Sequence, residues 1–203
     1  MITMPIAPKD GKLLYHLTKI DNIPSVLKNG LMSRKKLSKS IDISFSNIAD
    51  LDILEKRLKW KTDLSSYVPF HFYTKNPFDG AVCNKFGSEN MAIIAIWRPT
   101  SNTDKRGMFI IPSHPLSNDE PDIYSYDDGF DLVDWDTLGD AENRDYHDPK
   151  IKSKCMAECL AKDSIPSSKF AFIFVLNDAA KNKIEDIANT YNVTIRVNAH
   201  MFP

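Results

Sequence analysis

The residues of this sequence that could carry out chemistry are dispersed and form no compact catalytic motif. The seven glycines stand singly, so neither a Rossmann glycine turn nor a phosphate-binding loop is present. No Gly-x-Ser-x-Gly string and no metalloprotease helix occurs. The three cysteines lack the Cys-x-x-Cys spacing of a zinc site, and no metal is expected. The remaining candidates are histidines, arginines and carboxylates on strand ends and in loops.

Each of these candidates also has an ordinary structural explanation when it is taken alone. His16 fits a histidine at a strand end, and Arg57 fits an arginine on a helix surface. His114 precedes a proline, as loop residues often do, and Glu158 lies on an alternating segment where it could face solvent. Residue chemistry by itself therefore predicts a site borne by loops and strand ends, without naming its reaction.

A set of short strings occurs in order along the chain. The strings are Tyr15-His16-Leu17-Thr18-Lys19-Ile20-Asp21-Asn22, Leu27-Lys28-Asn29-Gly30-Leu31, Ser46-Asn47-Ile48, Glu55-Lys56-Arg57, Tyr67-Val68-Pro69-Phe70, His114-Pro115, Val133-Asp134-Trp135 and Ala157-Glu158-Cys159-Leu160. Together they resemble the DarT toxins, a family of bacterial nucleic-acid ADP-ribosyltransferases, and the resemblance covers most of the chain at compatible spacing.

The resemblance implies that NAD⁺ is the co-substrate and that two residues carry the chemistry. Glu158 matches the catalytic glutamate of the family, and Arg57 matches its catalytic arginine. The residues implied at the NAD⁺ site are His16, Leu17, Thr18, Ser25, Met32 and Arg57, with Leu31 as the alternative to Met32. These residue types suit the reaction, because a carboxylate stabilises the positive charge that develops on the ribose. A guanidinium can clamp a pyrophosphate through two hydrogen bonds.

The nucleic-acid target is implied to lie against His114, His71 and Lys75. The family pattern after the Pro-Phe pair continues with an aromatic residue and then Pro-Arg-Ser-Pro-Met. This chain instead has His71-Phe72-Tyr73-Thr74-Lys75-Asn76-Pro77-Phe78, so a lysine replaces the arginine. The departure leaves the modified base, and DNA versus RNA, open. A base stacked in a duplex hides its ring nitrogens, which favours a single-stranded target.

Strands are predicted from runs of β-branched and aromatic residues. They are Leu13–Leu17, Val68–Tyr73, Met91–Trp97, Met108–Ile111, Phe170–Leu176 and Val193–Val197. Lys154–Lys162 alternates and also predicts a strand, with a helix as the competing interpretation. The mixed order of elements predicts an α+β fold. The resemblance specifies an ADP-ribosyltransferase-like mixed split β-sheet with peripheral helices and a long target-recognition loop.

Helix ends are predicted from capping residues. Asp21 or Asn22 can cap a helix that Gly30 ends. Ser46 can cap a second helix, whose leucines recur at helical spacing and which carries Arg57 near its end.

Two further segments complete this outline. Asn177 or Asp178 can cap a helix that runs to about Tyr191. From Pro112 to Pro149 we expect a mostly irregular, functional loop with a short helix over Trp135–Leu138.

Composition limits the class of protein. The 203 residues fit one domain spanning 1–203, and a formal net charge of −1 excludes a basic nucleic-acid binder, so any nucleic-acid site must be local. Sparse cysteines predict a reducing, cytoplasmic location, and the apolar runs are too short to cross a membrane.

Several function classes remain open from the sequence. The favoured one is a toxin that transfers ADP-ribose from NAD⁺ to single-stranded DNA and is paired with a macrodomain-type antitoxin, in growth control or phage defence. An RNA target within the same family is the first alternative. The others are a protein-directed ADP-ribosyltransferase, an NAD⁺ glycohydrolase, and a non-catalytic binding module.

Overall fold

The fold is described from a computed structural model, which covers residues 6–40, 43, 45–60, 62–117 and 122–203. Its strands are β1 Leu13–Lys19, β2 Leu31–Met32, β3 Tyr67–Phe70, β4 Met91–Trp97, β5 Met108–Ile111, β6 Tyr124–Ser125, β7 Glu158–Lys162, β8 Ser164–Ile165, β9 Phe170–Val175 and β10 Ile195–Val197. Its helices are α1 Ile23–Asn29, α2 Arg34–Leu37, α3 Leu51–Lys59, α4 Pro77–Phe86, α5 Asn102–Lys105, α6 Tyr126–Leu132, α7 Trp135–Gly139, α8 Pro149–Lys154, α9 Asp178–Asn182 and α10 Glu185–Thr190.

The first sheet has the strand order β1-β4-β9-β10. The strand β4 pairs antiparallel with both β1 and β9, and β10 runs parallel to β9, so the sheet is mixed. Six consecutive residues of β4 are buried, because helices and chain ends cover both faces of the sheet. That burial explains the uninterrupted apolar run of β4.

The second sheet has the order β3-β7-β5-β6 and is antiparallel throughout. It is joined to the first sheet by a two-way backbone bridge. The amide of Tyr15 donates to the carbonyl of His71 at 2.9 Å, and the amide of His71 donates to the carbonyl of Tyr15 at 2.8 Å. The two sheets diverge from this bridge, as the predicted split sheet requires. His16 follows the bridge directly, so the split sets its position.

Two hydrophobic clusters hold the sheets to the helices. The larger joins both sheets to α1 and α10 through side chains such as Ile23, Leu27 and Ala188. The second packs α4 on the opposite face of the first sheet, with Val82 and Cys83 against Leu17. Strand alternation places Leu17 in this second cluster and its neighbours His16 and Thr18 on the other face.

Gly30 ends α1 as predicted, for a reason that the fold makes clear. Its φ of 82° lies in the left-handed region that glycine adopts without strain. A Cβ atom at this position would lie 2.8 Å from the carbonyl oxygen of Ile165. The turn brings β2 into antiparallel pairing with β8, with Leu31 opposite Ile165. This pairing positions Met32 beside the site described below.

Several predicted boundaries are wrong in detail. Asp50, rather than Ser46, precedes the helix α3, and Ser46 makes a tertiary contact instead. The predicted helix from Asp178 to Tyr191 is two short helices, α9 and α10, separated at Lys183 and Ile184. Ile184 is buried, and its backbone leaves the helical region with a φ of −128° and a ψ of −1°.

For Lys154–Lys162 the strand prediction is confirmed over Glu158–Lys162, and only Lys154 is helical. Residues 118–121 lie outside the described part of the segment 112–149. In its described part, α7 confirms the predicted short helix, and β6 and α6 are elements that were not predicted. The helix α4 was not predicted, although Asn76 caps its start and Pro77 lies in its first turn, which are ordinary helix-start signals.

Candidate active site

A cavity of about 380 Å³ lies between the ends of β1, β3 and β7 and the segment that leads into α3. That volume is in the range of small-molecule sites. The predicted residues that line it are His16, Leu17, Thr18, Ser25, Met32, Arg57, His71, His114 and Glu158. Residues far apart in sequence are therefore brought to one place.

The centre of the cavity is an ion pair between Arg57 and Glu158. Nη1 and Nη2 of Arg57 donate to Oε1 and Oε2 of Glu158, each at 2.9 Å. The Glu158 side chain is 5% exposed and the Arg57 side chain 14%. Such paired, charge-assisted hydrogen bonds are among the strongest in proteins.

Arg57 also keeps Glu158 ionised. Burial raises the pKa of the Glu158 carboxyl, but the adjacent guanidinium and its hydrogen bonds outweigh burial and hold that pKa below its usual range. Glu158 is the first residue of β7 and lies opposite Ile111 of β5. A central strand therefore presents an ionised carboxylate to the cavity.

The strand ends that carry His16, His71 and Glu158 form the floor of the cavity. The ring of His16 is fixed there by the backbone. Its Nδ1 is 2.8 Å from the carbonyl oxygen of Pro69, and because that oxygen can only accept, Nδ1 carries the hydrogen. The other nitrogen, Nε2, is then an acceptor for a hydroxyl group. Burial lowers the pKa of His16 to about 4, so the ring is neutral near pH 7.

The segment 45–60 with its helix α3 covers the cavity and is called the cover below. Asn22, which the sequence predicted only as a possible helix cap, links Thr18 to this cover. The amide of Asn22 donates to Oγ1 of Thr18 at 3.1 Å and to the carbonyl of Ser46 at 2.9 Å. Its Oδ1 accepts the amide N–H of Ser46 at 2.7 Å. Asn22 makes no capping bond to α1. No local sequence signal indicates this contact, because Thr18 lies on β1 and Asn22 in the 3-10 turn that follows it.

The other predicted NAD⁺ residues differ in whether their side chains or only their backbones can contact a ligand. Ser25 on α1 and Met32 on β2 are half-buried and face the cavity. Leu17 is 5% exposed and its side chain belongs to the cluster under α4. Leu17 can therefore contact a ligand only through its backbone.

The predicted target residues separate into two groups. His71 and His114 line the cavity, and the Nδ1 atom of His114 accepts the amide N–H of Leu116 at 2.9 Å. Burial lowers the pKa of His114. Lys75 lies outside the cavity, on an exposed turn with a φ of 62° whose amide donates to Asp79. The structure therefore does not bring Lys75 to the other site residues.

The described residues also bear on the expectations about a metal site and a membrane-spanning helix. Among the residues with assigned positions, no cluster of three or more His, Cys, Asp or Glu could hold a metal ion. Over the same part of the chain, none of the helices combines the length and apolar character needed to cross a bilayer.

The fold resembles solved structures of ADP-ribosyltransferases. Thermus sp. 2.9 DarT in complex with ADP-ribosylated ssDNA superposes with a TM-score of 0.81 at 18% identity, over 95% of this chain and 96% of that one. The same Thermus protein in complex with NAD⁺ gives a TM-score of 0.75 at 18% identity, over 99% of this chain and 100% of that one. These matches confirm the predicted α+β, ADP-ribosyltransferase-like fold.

The sequence also matches a curated protein of Thermosipho africanus (strain H17ap60334), a DNA ADP-ribosyl transferase-DNA ADP-ribosyl glycohydrolase fusion protein. The identity is 24% over 188 residues, which cover 90% of this chain and 47% of the relative. The chain thus spans about half the length of that relative. A family model described as "DarT: ssDNA thymidine ADP-ribosyltransferase, DarT" matches residues 15–202. The chain therefore belongs to the DarT family of single-stranded-DNA thymidine ADP-ribosyltransferases, as the ordered strings of its sequence predict.

Proposed function

We propose that this chain transfers ADP-ribose from NAD⁺ to a thymidine base of single-stranded DNA and releases nicotinamide. The observation that carries the proposal is the buried Arg57–Glu158 pair in a cavity of suitable size, within a chain of this family. A buried, ionised carboxylate beside an arginine suits a reaction that develops positive charge on a sugar.

The proposed reaction breaks one bond and forms one bond at the ribose carbon C1 that carries nicotinamide. The bond to the nicotinamide nitrogen breaks, and its electron pair leaves with neutral nicotinamide. A ring nitrogen of the base then bonds to the same carbon and loses its proton. Glu158 stabilises the positive charge that the ribose carries in between.

We propose that the remaining cavity residues bind NAD⁺. Nε2 of His16 accepts a hydrogen bond from a ribose hydroxyl, and Thr18 and Ser25 offer hydroxyl groups. Arg57 uses two N–H groups for Glu158, and the others are available for the phosphates. Met32 packs against the ligand, and Leu17 contributes its main chain.

Support for DNA rather than RNA comes from the family description and from the relatives. The family is named for a single-stranded DNA target, and the Thermus relative was solved with ADP-ribosylated ssDNA. We propose that His71 and His114 face the target within the cavity. Lys75 would contact only the more distant part of a DNA strand, because its turn lies outside the cavity.

The Thermosipho relative combines a transferase with a DNA ADP-ribosyl glycohydrolase. We propose on this basis that a macrodomain-type hydrolase is the antitoxin partner of this chain. Cys83, Cys155 and Cys159 are buried, free thiols, which supports a reducing, cytoplasmic location. We also propose that residues 1–203 act as one catalytic domain.

The test is incubation of the protein with labelled NAD⁺ and, separately, single-stranded DNA, RNA or a protein extract. Label on DNA that falls about 1,000-fold in Glu158→Gln supports the proposal. The matched control is Glu89→Gln, an exposed glutamate after α4, which should transfer normally. Label on RNA or protein, free ADP-ribose alone, or no turnover of NAD⁺ would each refute transfer to DNA and indicate one of the alternatives.

A further inference from the structure

His71 occupies a position where the DarT sequence pattern has an aromatic residue. Its side chain is 8% exposed, lines the cavity and follows directly on β3. Nδ1 lies 3.1 Å from the carbonyl oxygen of Ala157, the residue before Glu158. Since a carbonyl oxygen only accepts, Nδ1 carries the hydrogen and Nε2 holds a lone pair.

The three histidines of the cavity differ in what they present to a ligand. His114 accepts a backbone N–H at Nδ1, so its Nε2 carries the hydrogen and can only donate. His16 has an accepting Nε2, but it sits beside Thr18 on β1, at the predicted ribose site. His71 also has an accepting Nε2, and it lies next to the carboxylate-bearing strand β7. His71 is therefore the accepting histidine on the target side.

Transfer to thymine needs a proton acceptor. In DNA the thymine ring has a single N–H group, and its nitrogen must lose that proton when it bonds to the ribose. Arg57 cannot serve, because an arginine side chain stays protonated. Glu158 is a weak acceptor, because both of its oxygens bind Arg57 and its pKa is held low by that guanidinium.

We infer that Nε2 of His71 accepts the ring proton of the target base as that base bonds to the ribose of NAD⁺. The inference rests on the proposed function and names one of its catalytic residues. The ring nitrogen forms its bond to the ribose carbon, nicotinamide leaves with the electron pair of the broken bond, and the proton moves to His71. The imidazolium then releases this proton to solvent.

Four charged or titratable groups lie near His71. They are Glu158 of β7, Asp79 of α4, His16 of β1 and His114 of the segment after β5. Burial lowers the pKa of both His16 and His114, so these rings are neutral near pH 7 and do not repel a charge.

The experiment compares two variants of the full chain on two substrates. His71→Asn places an amide N–H where Nδ1 was, so the contact with Ala157 is kept while Nε2 is lost. His71→Gln places an amide oxygen near the position of Nε2, where it accepts a hydrogen bond and cannot take a proton. The substrates are single-stranded oligonucleotides with one thymidine or with one 5-fluoro-2′-deoxyuridine, whose ring N–H is more acidic.

We expect both variants to lose about 100-fold or more of the transfer rate to thymidine, a typical contribution of general-base catalysis. The loss should be much smaller on the fluorinated base, because a more acidic N–H needs less help. Binding of NAD⁺, measured by calorimetry, should match that of the unsubstituted protein, which also shows that the variants are folded.

Three results would overturn the inference. The first is normal transfer by both variants. The second is an equal loss on both substrates, which indicates a packing role. The third is a loss of NAD⁺ binding in both variants, which places His71 at the NAD⁺ site instead. Each of these leaves the proposed function intact, whereas failure of the unsubstituted protein to label DNA overturns the proposed function together with the inference.

Discussion

The floor and the cover of the cavity are built differently. On the floor, His16 and His71 donate to the backbone carbonyls of Pro69 and Ala157, and Glu158 lies on a strand that is paired on both sides. The cover is the segment 45–60 with its helix α3. No residue of α3 is buried, and its Leu51 is 71% exposed.

Apolar packing of Ile48 and Trp60 anchors the cover, and polar contacts add to it. These are the Asn22–Ser46 hydrogen bonds, the Arg57–Glu158 pair and an ion pair of 2.5 Å between Lys85 and Asp50. The difference teaches that the reacting groups are fixed before ligand binding, whereas a ligand can replace contacts of the cover. Sites preorganised on strands hold geometry more precisely than sites on loops.

The largest expected effect tests the floor. The pKa of His16 is about 4 in the folded chain and about 6.5 when unfolded. Between these values the unfolded chain binds the extra proton, so the stability from neutral His16 is complete above pH ~6.5 and is lost toward pH ~4. His16→Asn should remove up to about 3 kcal/mol of this pH dependence, measured by urea unfolding from pH 7 to pH 4.5.

The control for this experiment is His200→Asn, an exposed residue near the C-terminus, which should keep the pH dependence of the unsubstituted chain. If His16→Asn leaves that dependence unchanged, the ring is not held neutral by burial, and the floor is less rigid than the comparison requires.

The prediction of intermediate size tests the Arg57–Glu158 ion pair, which links the floor to the cover. Arg57→Lys keeps the charge and loses one of the two hydrogen bonds to Glu158, which is worth about 1.5–3 kcal/mol. The rate of ADP-ribose transfer to DNA should fall by roughly 10- to 100-fold. Arg106→Lys, at an exposed position before β5, is the matched control. A normal rate in Arg57→Lys would show that the bidentate geometry is dispensable.

The smallest effect tests the outer surface of the cover. Leu51→Gln and Leu58→Gln change side chains that are 71% and 57% exposed, so each should alter the free energy of unfolding by less than about 0.5 kcal/mol. Leu27→Ala, at a fully buried position on α1, should cost ~2–5 kcal/mol. Large losses in both α3 variants would mean that α3 is packed as firmly as the floor.

Much of the framework that supports the floor could be predicted from local sequence. The run from Met91 to Trp97 is long, apolar and β-branched, and it forms a strand with the predicted bounds. Gly30 ended its helix for the predicted reason. The ordered strings around His16, Arg57 and Glu158 identified the family and gathered residues that the fold brings to one cavity.

The cover could not be predicted in the same way. The spacing of Leu51, Leu54 and Leu58 predicted a helix, and the helix exists. Leu51 and Leu58 face outward, whereas Leu54 and Arg57 line the cavity. Helical periodicity indicates which residues share a face and does not indicate what that face meets. Asn22 was misread for the same reason, since its partner Ser46 is 24 residues away.

The sequence by itself determined the long strands of the first sheet, the family and the residue types of the cavity, because these depend on local pattern and order. Only the tertiary structure decided which side chains meet: that Glu158 is paired and ionised, that Lys75 lies outside the cavity, and which nitrogen of His71 is bonded to a backbone carbonyl. Those facts depend on contacts between distant segments and on burial. Neither is encoded in the spacing of neighbouring residues.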